Sequence, residues 1–150
     1  MKKEFKIINP EQMIALGYTI GSLAKENMVL TLEGDLGAGK TTLTKGIALG
    51  LGIKSIVNSP TFTIMKIHHG RLTLYHMDVY RLSNDSGDDY LEEYFEASGI
   101  CVIEWANNIS YILPQEVLKI IIKSESETVR IVELEANSSQ YINLLQEVKL

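Results

Sequence analysis

The sequence predicts an α/β protein in one domain. Short apolar runs of strand length alternate along the chain with segments whose apolar residues return at helical spacing. One of these runs, "MVLTLE" (28–33), feeds directly into a glycine-rich loop that opens a helix, "GDLGAGKTTLTKG". Length agrees: 150 residues suffice for about one ordinary core, and no repeat, low-complexity linker or shift of composition divides them.

Asn9, Pro10 and Gln12 read as an N-cap, a first-turn proline and a partial capping box, ahead of a helix with Met13, Leu16, Ile20 and Leu23 on one face. "MVLTLE" is the next strand, and the helix behind the glycine loop should stop near Gly50 or Gly52. "TFTIMKIHH" and "RLTLYHMD" flank Gly70 as a hairpin. The turn-forming run "SNDSGDD" (83–89) is expected to be a mobile surface loop. "DDYLEEYFEAS" sets Leu91, Tyr94 and Phe95 on one side of a helix with acidic residues opposite, and "GICVIE" is a compact buried strand. "EVLKIIIKS" and "TVRIVELEA" form a second hairpin across "ESE". Tyr141, Leu144, Leu145 and Val148 then mark an amphipathic helix capped by Asn137 or Ser138.

Composition narrows the function classes. With 45% hydrophobic and 22% charged residues the chain reads as soluble and globular. Its N-terminal "MKKEFKIINPE" has no apolar stretch of the signal-peptide kind, and no run approaches the ~18 apolar residues of a membrane span. Against 14 Lys and Arg stand 19 Asp and Glu, a net charge of −5, so the basic surface that nucleic-acid backbones demand is missing and any nucleic acid is expected to be held by a partner. The one cysteine, Cys101 in "ICVI", cannot form an internal disulfide and reads as a core thiol. A cytoplasmic location fits best.

The chemistry sits in two strand ends. Gly34 to Thr41 satisfies G-x-x-x-x-G-K-[ST] in a strand-to-helix setting. Its glycines permit the tight turn, its backbone N–H groups converge on phosphate oxygens, and the helix behind presents its positive dipole end. The predicted nucleotide-binding residues are Asp35, Leu36, Gly37, Ala38, Gly39, Lys40, Thr41 and Thr42. Lys40 is expected to reach the β- and γ-phosphates and the Thr41 hydroxyl to ligate Mg²⁺. A nucleotide-hydrolysing site also needs an acid at another strand end, which "ICVIEW" supplies as Glu104, beside Trp105. Between these elements, "SPTFTI" offers a hydroxyl or backbone group near the γ-phosphate, and Asp78 of "YHMDVYRL" a group to position water or metal. The histidines do not read as a metal site: His68 and His69 alternate across a strand, and His76 with Asp78 lacks a third ligand.

In this order, "LEGDLGAGKTT", "VNSPTFTI", "LYHMDVYRL", "LEEYF" and "GICVIEW" resemble the TsaE (YjeE) family, the P-loop ATPase component of bacterial tRNA threonylcarbamoyladenosine synthesis. The matching stretch runs from Leu32 to Trp105, with compatible flanks. The resemblance implies a P-loop α/β domain with a mainly parallel central sheet extended by antiparallel strands and flanked by helices. It makes Thr41 and Glu104 the magnesium-linked pair, Asp78 the functional Asp of the H-x-D-x-Y-R-L motif, and Thr61 part of a switch-like loop. Trp105 corresponds to the tryptophan beside the nucleotide, and Arg130 of "TVRIVEL" to a nearby arginine. One departure is the connector before "LEEYF", where relatives carry Leu-Gly and this chain has Tyr90. The resemblance further implies ATP and Mg²⁺ as cofactors and the TsaD–TsaB heterodimer as partner, with tRNA met only through that pair, which transfers threonylcarbamoyl to N6 of adenosine 37 in ANN-decoding tRNAs.

Two other readings use the same cradle. A small-molecule P-loop kinase closes a lid with several positive groups, whereas this chain's arginines are Arg71, Arg81 and Arg130. A nucleotide-controlled assembly switch with incidental hydrolysis needs the same residues as a motor and is separated from it by turnover alone. A GTPase would carry an N-K-x-D segment, for which "NNIS" is no substitute.

Overall fold

The computed structural model describes residues 1–60, 63–82 and 89–150. Strands β1 (Lys2–Ile7), β2 (Val29–Glu33), β3 (Met65–His68), β4 (Leu74–Asp78), β5 (Ile100–Glu104), β6 (Leu118–Ser124) and β7 (Arg130–Glu135) form one seven-stranded sheet in the order β1-β7-β6-β2-β5-β4-β3. The inner strands β6, β2, β5 and β4 run parallel, and antiparallel strands extend them at both ends, β7 and β1 on one side and β3 on the other. This is the mainly parallel sheet with antiparallel extensions that the resemblance implies. Helices α1 (Pro10–Leu23), α2 (Lys40–Gly50) and α3 (Ser139–Glu147) complete the layers, with short 3₁₀ helices at Asp89–Glu96 and Ala106–Ile109.

Burial explains the strand order. All five residues of β5 are buried, as are four of five in β2, which suits the centre of a parallel sheet covered on both faces. On one face Leu16, Ile20, Leu43, Ile47 and Tyr141 pack on Leu30, Leu32, Leu74 and Val102. On the other, Leu91, Phe95 and Ile109 pack on Val29, Met77, Cys101 and Ile103. Cys101 is part of this second cluster, its Sγ donating to the Tyr94 carbonyl at 3.3 Å. Burial pushes its thiol up to about 12, which suits core packing and not nucleophilic chemistry.

The α1 N-terminus follows its sequence signals: Asn9 Oδ1 accepts from the Gln12 N–H at 2.9 Å, and Gln12 Oε1 accepts from Ile8 N–H at 3.0 Å. Helix α2 is held against α1 by an unusually close approach. A methyl group on Gly46 would run into the Ile14 carbonyl, and one on Gly21 into the Ile47 carbonyl. These glycines let the two backbones meet, which fixes the start of α2 relative to the sheet.

The structure adds one element to the sequence reading and corrects another. The N-terminal "KKEFKI", which carries no clear strand signal in the sequence, forms edge strand β1; its charged residues mask the apolar alternation and suit an exposed edge. Lys3 Nζ secures it by donating to the last carbonyls around α3, Leu145 O at 3.1 Å and Val148 O at 2.6 Å. The acidic helix "DYLEEYFE" winds as 3₁₀, burying Leu91 and Phe95. The expected mobile loop 83–89 lies outside the described residues up to position 88. Among the described residues, no helix is long and apolar enough to cross a membrane.

Candidate nucleotide and metal site

The glycine loop joins the end of β2 to the start of α2, and its backbone explains its composition. Gly37 (φ 79°) and Gly39 (φ 115°) occupy left-handed conformations that side chains disfavour. Gly34 passes so close to β6 that an added Cβ would lie 2.9 Å from the Ile122 carbonyl oxygen. Gly39 caps α2 without any side-chain hydrogen bond, so the first N–H groups of the helix are left for an outside acceptor. Leu36, at the loop apex, is exposed, as is Asp35.

Lys40 is buried. Its Nζ donates to Gly34 O at 2.8 Å and stands 4.4 Å from the centroid of the Trp105 ring. The ring reaches that place because Trp105, immediately after β5, takes a left-handed backbone (φ 62°). Tyr80 meets the same ring edge-on at 4.9 Å. Asn108 Nδ2 ties the chain leaving β4 to this side by donating to Val79 O at 3.0 Å and Tyr80 O at 3.1 Å.

Parallel pairing of β4 and β5 puts Asp78 directly opposite Glu104. Both are buried, at 7% and 4% exposure, an arrangement of two carboxylates that favours a cation between or beside them. Asp78 Oδ1 accepts from the Tyr80 N–H at 3.1 Å. Glu104 Oε2 accepts from His76 Nε2 at 2.9 Å. Lys40, Thr41, Thr42, Ser59, Asp78, Glu104 and Trp105 line one cavity of about 370 Å³, together with Leu36, Gly37 and Gly39 of the glycine loop. The structure therefore brings together glycine loop, lysine, hydroxyl and both acids around one cavity. Thr61 lies outside the described residues.

A second cavity, about 390 Å³, adjoins the first across Gly37, Gly39 and Thr42. It is mostly apolar, between Ile7, Ile8, Pro10 and Met13 on one wall and Thr128 and Arg130 on the other. Arg130 belongs to this wall: its Nε donates to Ala38 O at 3.1 Å and its Nη1 to Ser126 O at 2.8 Å. It braces the glycine loop against the β6–β7 turn.

The remaining histidines stand apart. His68 is buried and its Nδ1 lies 2.9 Å from Ser55 Oγ; burial foremost, then the nearby His76, Lys66 and His69, hold its imidazole below the usual range. No three His, Cys, Asp or Glu side chains gather into a metal cluster among the described residues. Sequence reasoning weighs His76 beside Asp78 as a metal ligand and sets it aside, without its bond to Glu104. Alternation along the strand pairs it with Asp78, whereas in the fold it is bonded to Glu104 across the β4–β5 pair, a neighbourhood set by strand register that the sequence does not print.

The family model described as "Threonylcarbamoyl adenosine biosynthesis protein TsaE" matches residues 7–132. The tRNA threonylcarbamoyladenosine biosynthesis protein TsaE of Bacillus subtilis is 50% identical over 146 residues, covering 97% of this chain and 92% of the relative. Its counterpart in Treponema pallidum is 47% identical over 109 residues, 71% of this chain and 81% of the relative. A crystal structure of YdiB from Bacillus subtilis superposes with a TM-score of 0.88 at 45% identity, covering 99% of this chain and 94% of that one.

Proposed function

Because this chain belongs to the TsaE family of threonylcarbamoyl adenosine biosynthesis proteins, we propose that residues 1–150 act as one cytoplasmic P-loop ATPase domain that supports threonylcarbamoyl modification of tRNA adenosine. The observation that carries this reading is the meeting of Lys40, Thr41, Asp78 and Glu104 in one cavity at the open N-terminus of α2.

The N–H groups of the loop from Asp35 to Thr42 would hold the ATP phosphates, and Lys40, which donates to Gly34 O, would turn to the β- and γ-phosphate oxygens. Its partner Trp105 limits where the ammonium can go. The base and ribose take the adjoining apolar cavity between Ile8, Pro10 and Arg130, whose 390 Å³ volume is in the range of small-ligand sites. The donor set suits Mg²⁺: the Thr41 hydroxyl and the Glu104 carboxylate are hard oxygen ligands, too few to enclose the ion by themselves, as is usual for Mg²⁺ bound with a nucleotide. Such an ion would supply positive charge against that developing on the transferred phosphoryl group. Glu104 and Thr41 hold it, and Asp78 orients the attacking water or its shell. Thr61, outside the described residues, is assigned to the switch-like segment by the family resemblance.

On this reading the tRNA chemistry belongs to the TsaD–TsaB pair, and tRNA is met only through it. The acidic net charge of −5 supports the same division. Hydrolysis by the isolated chain is expected to be slow and to rise on addition of the pair. Phosphate release measured with each component alone and together tests this. A rate untouched by the pair would favour the assembly switch.

A further inference from the structure

We propose that His76 is a positioning residue for the metal-holding carboxylate of Glu104, an inference that rests on the reading of Glu104 given above. Leu74, His76 and Asp78 share one face of β4, and Ile100, Val102 and Glu104 the matching face of β5, with His76 opposite Val102 and Asp78 opposite Glu104. The imidazole therefore sits one step back from the cavity. It reaches diagonally to the neighbouring strand and meets Glu104 Oε2 at 2.9 Å.

A metal-holding carboxylate accepts and does not donate, so Nε2 carries the hydrogen of this bond. Among the described residues this is the one side-chain hydrogen bond to Glu104. It occupies Oε2, fixes the rotation of the carboxylate about its last bond and leaves Oε1 for the ion or its water. Without it, a carboxylate 4% exposed beside the equally enclosed Asp78 would turn to whichever donor it could find.

A packing role alone does not account for the imidazole. His76 is fully buried, and its other nitrogen, Nδ1, has no hydrogen-bond partner among the described residues. Leucine or methionine would fill the place without stranding a polar atom. What histidine adds there is one N–H aimed at one oxygen. Donors standing behind a ligand in this way commonly set metal affinity within about 10–100-fold.

The test uses Mn²⁺, which shares the preference of Mg²⁺ for oxygen ligands and is counted by electron paramagnetic resonance as it binds the full-length protein–ADP complex. His76→Leu removes the donor, His76→Asn offers an amide too short to reach Glu104, and His76→Gln places an amide N–H close to the position of Nε2. Mn²⁺ affinity is expected to fall about 10–100-fold in the Leu and Asn variants, to return towards the wild-type value in the Gln variant, and ADP affinity without metal to stay unchanged in all three. Wild-type Mn²⁺ affinity in folded His76→Leu or His76→Asn would overturn the proposal. So would a Gln variant as weak as these two, which would assign His76 to packing. Glu104→Gln is measured beside them: if it too binds Mn²⁺ like wild type, the reading of Glu104 as a metal ligand fails; if it alone loses the ion, only the positioning role fails.

Discussion

Lys40→Ala is expected to weaken Mg-ATP binding by about 10- to 100-fold, the equivalent of about 1.5–3 kcal/mol for a charge-assisted contact to phosphate. The size follows from where the ammonium sits. It is 6% exposed, stacked on Trp105 and bonded to the carbonyl that begins the glycine loop, so its charge is little screened and already lies within reach of the phosphate cavity it lines. The N–H groups of the loop remain in the variant, which is why binding falls and is not abolished. Calorimetric titration with Mg-ATP measures the loss, with thermal unfolding to establish that the variant is folded. An unchanged affinity in the folded variant would remove Lys40 from the phosphate site.

Asp78→Ala is expected to lower turnover by on the order of 10²-fold while ATP affinity changes little, because its proposed role is orientation around the γ-phosphate and misplacement of reacting groups by about 1 Å costs rates of that order. The carboxylate is held in a way that suits this role, with Oδ1 fixed by the Tyr80 N–H and the chain beyond it pinned by Asn108. Glu104→Ala should differ in kind, with the Mg²⁺ concentration needed for half-maximal turnover rising as well as the rate falling. Single-turnover hydrolysis and equilibrium binding, measured separately, resolve the two. Equal losses in both assays for Asp78→Ala would assign it to anchoring the nucleotide.

Much of this arrangement is legible in the chain. The Asn9–Gln12 cap, the glycine loop and the apolar runs of β2 and β5 are local signals, and local physics decides them. Strand β1 is not legible, because an edge strand buries little and its Lys and Glu residues hide the alternation. The parallel sheet with antiparallel extensions is implied by resemblance and not by periodicity, and its strand order by neither, since pairing depends on contacts far apart in sequence. That is also why Asp78 and Glu104 can be nominated singly while the His76–Glu104 bond cannot be foreseen: it joins residues 28 positions apart through register alone. Arg130 shows the converse, a residue nominated by likeness whose guanidinium proves to be engaged with the carbonyls of the glycine loop and the adjoining turn.

The central claim is that nucleotide turnover at this site sustains tRNA modification by a separate catalytic pair. Its most direct test is the accumulation of threonylcarbamoyl-adenosine over multiple turnovers in a reconstitution of tRNA, threonylcarbamoyl-adenylate, ATP and the TsaD–TsaB pair, with wild-type chain, with Lys40→Ala, or with neither. Modified adenosine should continue to build up only with the wild-type chain. Equal accumulation in all three would contradict the account.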